Sequence, residues 1–315
     1  MPTGTPYVTP QMLVNAPTGV SWEIIPEPGA DSASQLAELT NVSWRATSIV
    51  DTYCQQVLRA TVDNEQLTGP GAPRVGHQQG TCNGLLVMRR WPVTQVLAIQ
   101  TSSNRTFPRA WTTIPAGQYE VEHPLINLYT DAASATGPDG GASIVVAPGY
   151  IPPLSCGRNS TRLLVSYTNG WPHTSLTQPA AVGATVLHVD DVTGFTGVSA
   201  FAYDGAQTET VSVLSVAAAT PLNLPNGVGT AQTGPGTITL SSALAHPHGI
   251  GVVISSLPAN VIWAAALAAA SQALEAGFTS ISVQNLGGSL TEGGHGVADV
   301  QSAYEWLLEP FCRRM

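Results

Sequence analysis

Arg162-Leu-Leu-Val-Ser-Tyr-Thr-Asn-Gly-Trp-Pro-His173 decides how the chain is read. Leu163, Val165 and Tyr167 alternate with Leu164, Ser166 and Thr168, the period-two pattern of a strand. The β-branched and aromatic content suits a pleated surface. Asn169-Gly170 followed by Trp171-Pro172 stops the strand, because Gly takes positive φ and Pro carries no N–H. A helix is expected after such a turn, yet the next strong helical pattern begins only at Asn260.

Upstream of the turn the pattern predicts a small antiparallel β unit. Its strands are Leu85–Met88, Val93–Gln100, Trp111–Ile114, Gln118–Glu122, Leu125–Tyr129, Ser143–Val146 and Arg162–Thr168. Residues 67–84 form a loop, and Thr130–Gly141 a flexible one. Further upstream, Thr9 caps a short helix with Pro10 at its first position. The strongest helix runs from Ser32 to about Ala60. Ser32 and Gln35 make a capping-box pair, and Leu39, Val42, Ala46, Ile49, Val50, Tyr53 and Val57 form one apolar stripe. Trp44 lies off that stripe, either as a surface residue under a loop or as an intersubunit contact.

Downstream, residues 179–257 contain four acids and no Arg. They read as several short strands of a small barrel or sandwich. Asp204-Gly205 is its strongest hairpin signal, and Ala217–Gly236 is expected to be a mobile loop at its tip. From Pro258 the chain is helical. Val261–Ala276 is Ala-rich and ended by Gly277. Val297, Val300, Tyr304, Leu307 and Phe311 then make an amphipathic stripe, with Arg313 and Arg314 at the favourable end of the helix dipole.

The expected fold is therefore α+β. Helical N- and C-terminal parts surround a small antiparallel β unit, with an inserted all-β module. The segments are 1–66, 67–178, 179–257 and 258–315, the last packing with 1–178 as one domain. Pro172 is then the junction of the insertion, and its two ends are expected to be neighbours in space.

Composition narrows function. The chain is 43% hydrophobic and only 10% charged, which suits a surface largely covered by partners. All eleven basic residues are Arg, and the net charge is −9. An acidic chain without basic clusters is a poor nucleic-acid binder, since that affinity comes from neutralising phosphates. It can still line a passage that DNA slides through without sticking. Met1-Pro-Thr-Gly carries no signal-peptide pattern, and the apolar run Val261–Ala270 is too short to span a bilayer. Cys54, Cys82, Cys156 and Cys312 have no metal spacing. They are read as four free thiols, with a Cys82–Cys156 bridge as the alternative.

Candidate chemistry is sparse. His246-Pro-His248 is the one close histidine pair, and Pro between them suits loop histidines better than a metal site. Glu120 and Glu122 lie two apart on a predicted strand and could in principle work as a carboxylate pair; a solvated edge is the plainer account. There is no GxSxG elbow and no phosphate-binding GK[ST]. No enzyme activity, cofactor or metal is expected.

The order of motifs carries a resemblance. Val50-Asp-Thr-Tyr-Cys54 ends the long helix. Then come Arg89-Arg-Trp-Pro-Val-Thr-Gln-Val96, Trp111 with Ile114-Pro-Ala-Gly-Gln-Tyr-Glu-Val121, and Leu163-Leu-Val-Ser-Tyr-Thr-Asn-Gly-Trp-Pro172. Leu257-Pro-Ala-Asn-Val261 opens the Ala-rich helix, and Leu307-Leu-Glu-Pro-Phe-Cys-Arg-Arg314 closes the chain. The series resembles the head-to-tail connector (adaptor) proteins of tailed bacteriophages, of a siphophage with a high-GC host, over residues 8–178 and 258–315. Residues 179–257 depart from it.

The resemblance implies a virion neck protein assembled in the host cytoplasm. It implies a homo-oligomeric ring, usually dodecameric, docked under the portal protein and carrying the stopper or tail-terminator proteins. Double-stranded DNA passes through such a ring without sequence-specific binding, and no membrane is involved. Within it, Tyr304, Trp306, Leu307, Leu308, Phe311, Arg313 and Arg314 are the candidate portal contacts. Thr130, Asp131 and Asp139 belong to a loop reaching toward the tail or a neighbour. The alternatives are a carbohydrate-binding or decorating virion protein acting through 179–257, and a glycosidase using Glu120 and Glu122.

Overall fold

A computed structural model describes residues 4–18, 20, 22, 25–26, 29–68, 84–102, 110–122, 125–128, 162–275 and 297–312. Helix α1 spans Pro10–Asn15 and α2 Ser32–Cys54. Strands β1 (Thr61–Thr68), β2 (Gly84–Val87), β3 (Val93–Ser102), β4 (Thr112–Thr113), β5 (Tyr119–Glu122), β6 (Leu125–Leu128) and β7 (Arg162–Asn169) follow. Next come β8 (His173–Ser175), β9 (Val186–Val189), β10 (Ser199–Tyr203), β11 (Glu209–Ala218), β12 (Leu222–Asn223), β13 (Thr230–Ala231), β14 (Gly236–Leu240) and β15 (Val253–Ser255). Helices α3 (Ala259–Glu275) and α4 (Val297–Leu308) complete a mixed α+β chain. The expected strand Ser143–Val146 lies outside the described residues.

Two compact units share these elements, and the chain passes between them four times. One comprises residues 1–59, 172–217 and 234–315; the other comprises 60–171 and 218–233.

In the second unit the stretch 162–169 is a central strand. The sheet order is β1-β7-β3-β4, all antiparallel, and a three-stranded sheet β2-β6-β5 accompanies it. Leu163, Val165 and Tyr167 sit in a buried cluster with Leu67, Met88, Val93, Ile99 and Ile114. Gly170 takes φ 81 at the turn, and its N–H reaches the Pro92 carbonyl at 2.9 Å. Trp171 lies edge-on to Trp91 at 6.3 Å.

Strand β1 carries no sequence signal of a strand. Besides buried Leu67, its inward residues are polar and find partners. Asp63 accepts from Asn169 Nδ2 and pairs with Arg90 at 3.2 Å. Buried Glu65 accepts from the Arg89 N–H at 3.0 Å and from the Tyr167 hydroxyl at 3.2 Å. Arg89 Nε lies 3.2 Å from the other Glu65 oxygen, as an ion pair off the hydrogen-bonding line.

Within Ala217–Gly236, expected as a mobile loop, Leu222–Asn223 and Thr230–Ala231 pair as the β12–β13 hairpin instead. Leu224 and Ala231 are buried with Ala98 of β3. Asn226, at φ 59, donates to Gln100 Oε1 at 2.9 Å. Small and β-branched residues hid this apolar pair from the pattern.

The first unit holds a six-stranded sheet of order β8-β15-β10-β11-β14-β9, curled into a half-barrel. Its inward face alternates: Leu187 and Val189, Ala200 and Ala202, Val211 and Val213, Ile238 and Leu240 are buried. An isolated bridge joins Leu176, just past β8, to Val189 at the end of β9. The two ends of this sheet region meet. His173 pairs with Ser255 in register, and the Ser256 N–H reaches the Pro172 carbonyl at 2.9 Å.

Helix α2 packs on α3, and α3 on α4. The start of α2 corrects the expected capping box. Asp31 is the N-cap, accepting from the N–H groups of Ala33 and Ser34 at 2.9 Å, while Gln35 donates to the Trp22 carbonyl at 3.2 Å. The helix stops at Cys54, short of Ala60, because Gln55 turns left-handed at φ 55. Thr9 caps α1 as expected, accepting from the Met12 N–H at 3.3 Å. In α3, Ala264, Ala265, Ala268 and Ala269 are fully buried, while Ile262, Trp263 and Leu267 are half-buried. Ala at the inner face lets neighbouring elements approach closely, and a helix apolar on every side is a covered one.

Truncating Leu163 to Ala in the central strand should cost about 2–5 kcal/mol. Urea denaturation of the full chain, followed by tryptophan fluorescence, measures it.

Candidate functional site

Buried polar side chains gather around His173 and around His248, and the last helix carries most of the expected contact residues.

His173 is the first residue of β8 and is buried. Its Nε2 lies 2.8 Å from the Pro6 carbonyl, and its Nδ1 lies 2.9 Å from Ser255 Oγ. A carbonyl only accepts, so Nε2 carries the proton and Nδ1 is the acceptor. Ser255 Oγ then donates to the ring while accepting from the Leu257 N–H at 3.0 Å. One directed chain thus links the residue before α3, strand β15, strand β8 and the N-terminal arm. Thr5 adds a bond to Ser175 Oγ at 3.0 Å.

Tyr7 continues the arm. Its N–H reaches Thr47 Oγ1 at 2.9 Å, and its hydroxyl donates to Asp51 while accepting from the N–H of Leu58 at 2.8 Å and of Arg59 at 3.2 Å. Burial raises the pKa of Tyr7 well above its usual value and raises that of Asp51 as well. Arg59 also lies over the Trp44 ring, 5.9 Å from its centroid. Trp44 is half-buried, so within this unit it is a partner of Arg59.

His248 was expected in a loop with His246. It is buried, with Nδ1 3.0 Å from Asp204 Oδ2 and Nε2 3.0 Å from Glu209 Oε1. The pattern missed this because its partners lie across the β10–β11 turn. Glu209 also accepts from the N–H groups of Ala245 and His246, both at 2.9 Å. Burial pushes the Glu209 pKa up, and these three donors outweigh it and lower it. The cluster clamps the turn after β10 to residues 245–248. Both ring nitrogens are occupied by carboxylates, so neither is left to take a proton from a substrate. The same holds for His173. Among the described residues no group of three or more His, Cys, Asp or Glu could hold a metal ion.

The last helix separates its candidates. Tyr304 and Leu308 are buried, Leu307 and Phe311 half-buried, and Trp306 is 72% exposed. Positions 304 and 308 are one turn apart and share the covered face. Arg313, Arg314, Thr130, Asp131 and Asp139 lie outside the described residues, as do Cys82 and Cys156. Glu120 and Glu122 stand opposite Asn127 and Leu125 in the β5–β6 register; their side chains are outside the described set. Cys54 and Cys312 are free thiols.

In the β module, Phe195 is fully buried as expected of a core residue. Phe201 is 46% exposed, and its ring lies 5.9 Å from that of half-buried Tyr203. Strand β10 presents Phe201 on the face opposite buried Ala200 and Ala202.

No helix among the described residues is long and apolar enough to cross a membrane. Comparison with known proteins gave no match, whether by family model, by curated relative or by solved structure.

Burial pushes the His173 pKa down to about 4. The folded state therefore resists protonation that the unfolded chain accepts near 6.5. Its neutral form supports the fold fully above about pH 6.5, and the support falls away as pH drops toward 4, by roughly 3 kcal/mol. Denaturation at pH 7 and pH 4.5 should show this loss, and His173→Gln should flatten that part of the pH dependence.

Proposed function

We propose that the protein is a structural component of a tailed-phage virion. It is a head-to-tail connector (adaptor) that forms a ring under the portal protein, extends the DNA channel and carries stopper or tail-terminator proteins. The reading rests on the ordered motif series from Val50 to Arg314. In this account the helices at the two ends of the chain and the β unit of 67–178 form the adaptor, and 179–257 is an addition to it.

One structural observation carries the portal contact. Trp306 stands 72% exposed on a helix whose Tyr304 and Leu308 are buried. A large aromatic held outward on a packed helix is the kind of anchor that dominates interfaces. The half-buried Ile262, Trp263 and Leu267 of α3 offer further apolar surface for neighbours. Rings arise from repeated heterologous contacts whose rotation closes. A net charge of −9 with 10% charged residues suits a channel that does not hold DNA. The function is assembly without catalysis, in the neck of the virion.

A second reading is favoured by Phe201 and Tyr203. An exposed aromatic pair on a sheet face suits stacking on sugar rings, as in a carbohydrate-binding decoration protein. Glycan-array binding that is lost in Phe201→Ala would support it.

Negative-stain images of the purified full chain should show rings; a monodisperse monomer at micromolar concentration would sink the connector reading. Trp306→Ala should leave the stability within about 0.5 kcal/mol of the parent. The same change should reduce portal co-sedimentation at least tenfold.

A further inference from the structure

Cys54 is the last residue of α2, and Cys312 follows the turn Glu309–Phe311 beyond α4. Each thiol lies close enough to the other to influence its ionisation. Cys312 Sγ also lies 3.4 Å from the Leu308 carbonyl and 3.8 Å from that of Tyr53. Gln56, two residues past Cys54, donates to the Phe311 carbonyl at 3.0 Å. The segment after α4 is therefore already held against the end of α2. We propose that Cys54 and Cys312 form a redox pair whose disulfide fastens the C-terminal segment to the end of α2.

The oxidant is a peroxide. Cys312 is half-buried and Cys54 fully buried, so Cys312 meets the peroxide first. Its thiolate attacks one peroxide oxygen, the O–O bond breaks, and the hydroxide released takes up a proton to become water. Cys312 becomes a sulfenic acid. Cys54 then gives up its proton, and its sulfur attacks the sulfenic sulfur. The S–O bond breaks and a second water leaves. Two thiols and one hydrogen peroxide yield one disulfide and two waters, a two-electron oxidation. Burial raises the pKa of both thiols. The pair is built into the fold by residues at opposite ends of the chain, and it stands whether or not the protein is a connector.

The test treats the full chain with millimolar hydrogen peroxide, alkylates the remaining thiols, and maps peptides without reduction. The expected result is a linked Cys54–Cys312 peptide that dithiothreitol separates, and that is absent from a Cys312→Ser variant. Finding both thiols alkylated after peroxide treatment overturns the proposal. So does a Cys312 carried on to sulfinic acid without a link, or a bond from either residue to Cys82 or Cys156. The wild-type map decides this by itself, so the outcome does not depend on the variant folding.

Discussion

The first unit depends on one buried imidazole. His173 is buried, and each ring nitrogen finds its bond within the protein. It donates to Pro6 and accepts from Ser255, which in turn holds Leu257. Three segments far apart in sequence are oriented by one ring in one tautomer. Such a chain works only when every member is satisfied, since a single lost bond leaves an unpaired polar group in a low-dielectric interior. Tyr7 extends the same logic to α2, binding Thr47, Asp51 and the N–H groups just past the helix end.

The second unit solves a different problem with similar means. Its central strand β7 needs a neighbour on each side. On one side β3 supplies mainly apolar packing. On the other, β1 supplies acids and amides whose inward members meet Arg89, Arg90, Asn169 and Tyr167. Removing one member of such a matched set is costly because its partner is left buried and unpaired.

These networks bear on function by what they use up. The two buried histidines are fully committed to structural bonds, and Glu65 and Glu209 are committed likewise. Among the large apolar side chains that stay exposed on the described surface are Trp306 on the last helix and Phe201 on the module. That distribution suits a protein whose work is contact with others.

Much of this was legible in the sequence. Alternation in 162–168, the three-four stripes of α2 and α4, the Thr9 cap and the short strands of 179–257 are local patterns. Each follows from residues only a few positions apart. The strand β1 was not legible, because its stabilising partners are Arg89, Arg90 and residues of β7, distant in sequence. The hairpin at 222–231 was hidden for the same reason, and so was the burial of His248, whose carboxylates lie across a turn. The meeting of Cys54 with Cys312 belongs to the same class. By itself the sequence determined the type and approximate place of most helices and strands, through propensity and period. Only the tertiary structure decided which polar groups are buried, which partner each one has, and which segments group into which unit. Those choices rest on burial and hydrogen-bond geometry between residues that the chain brings together only when folded.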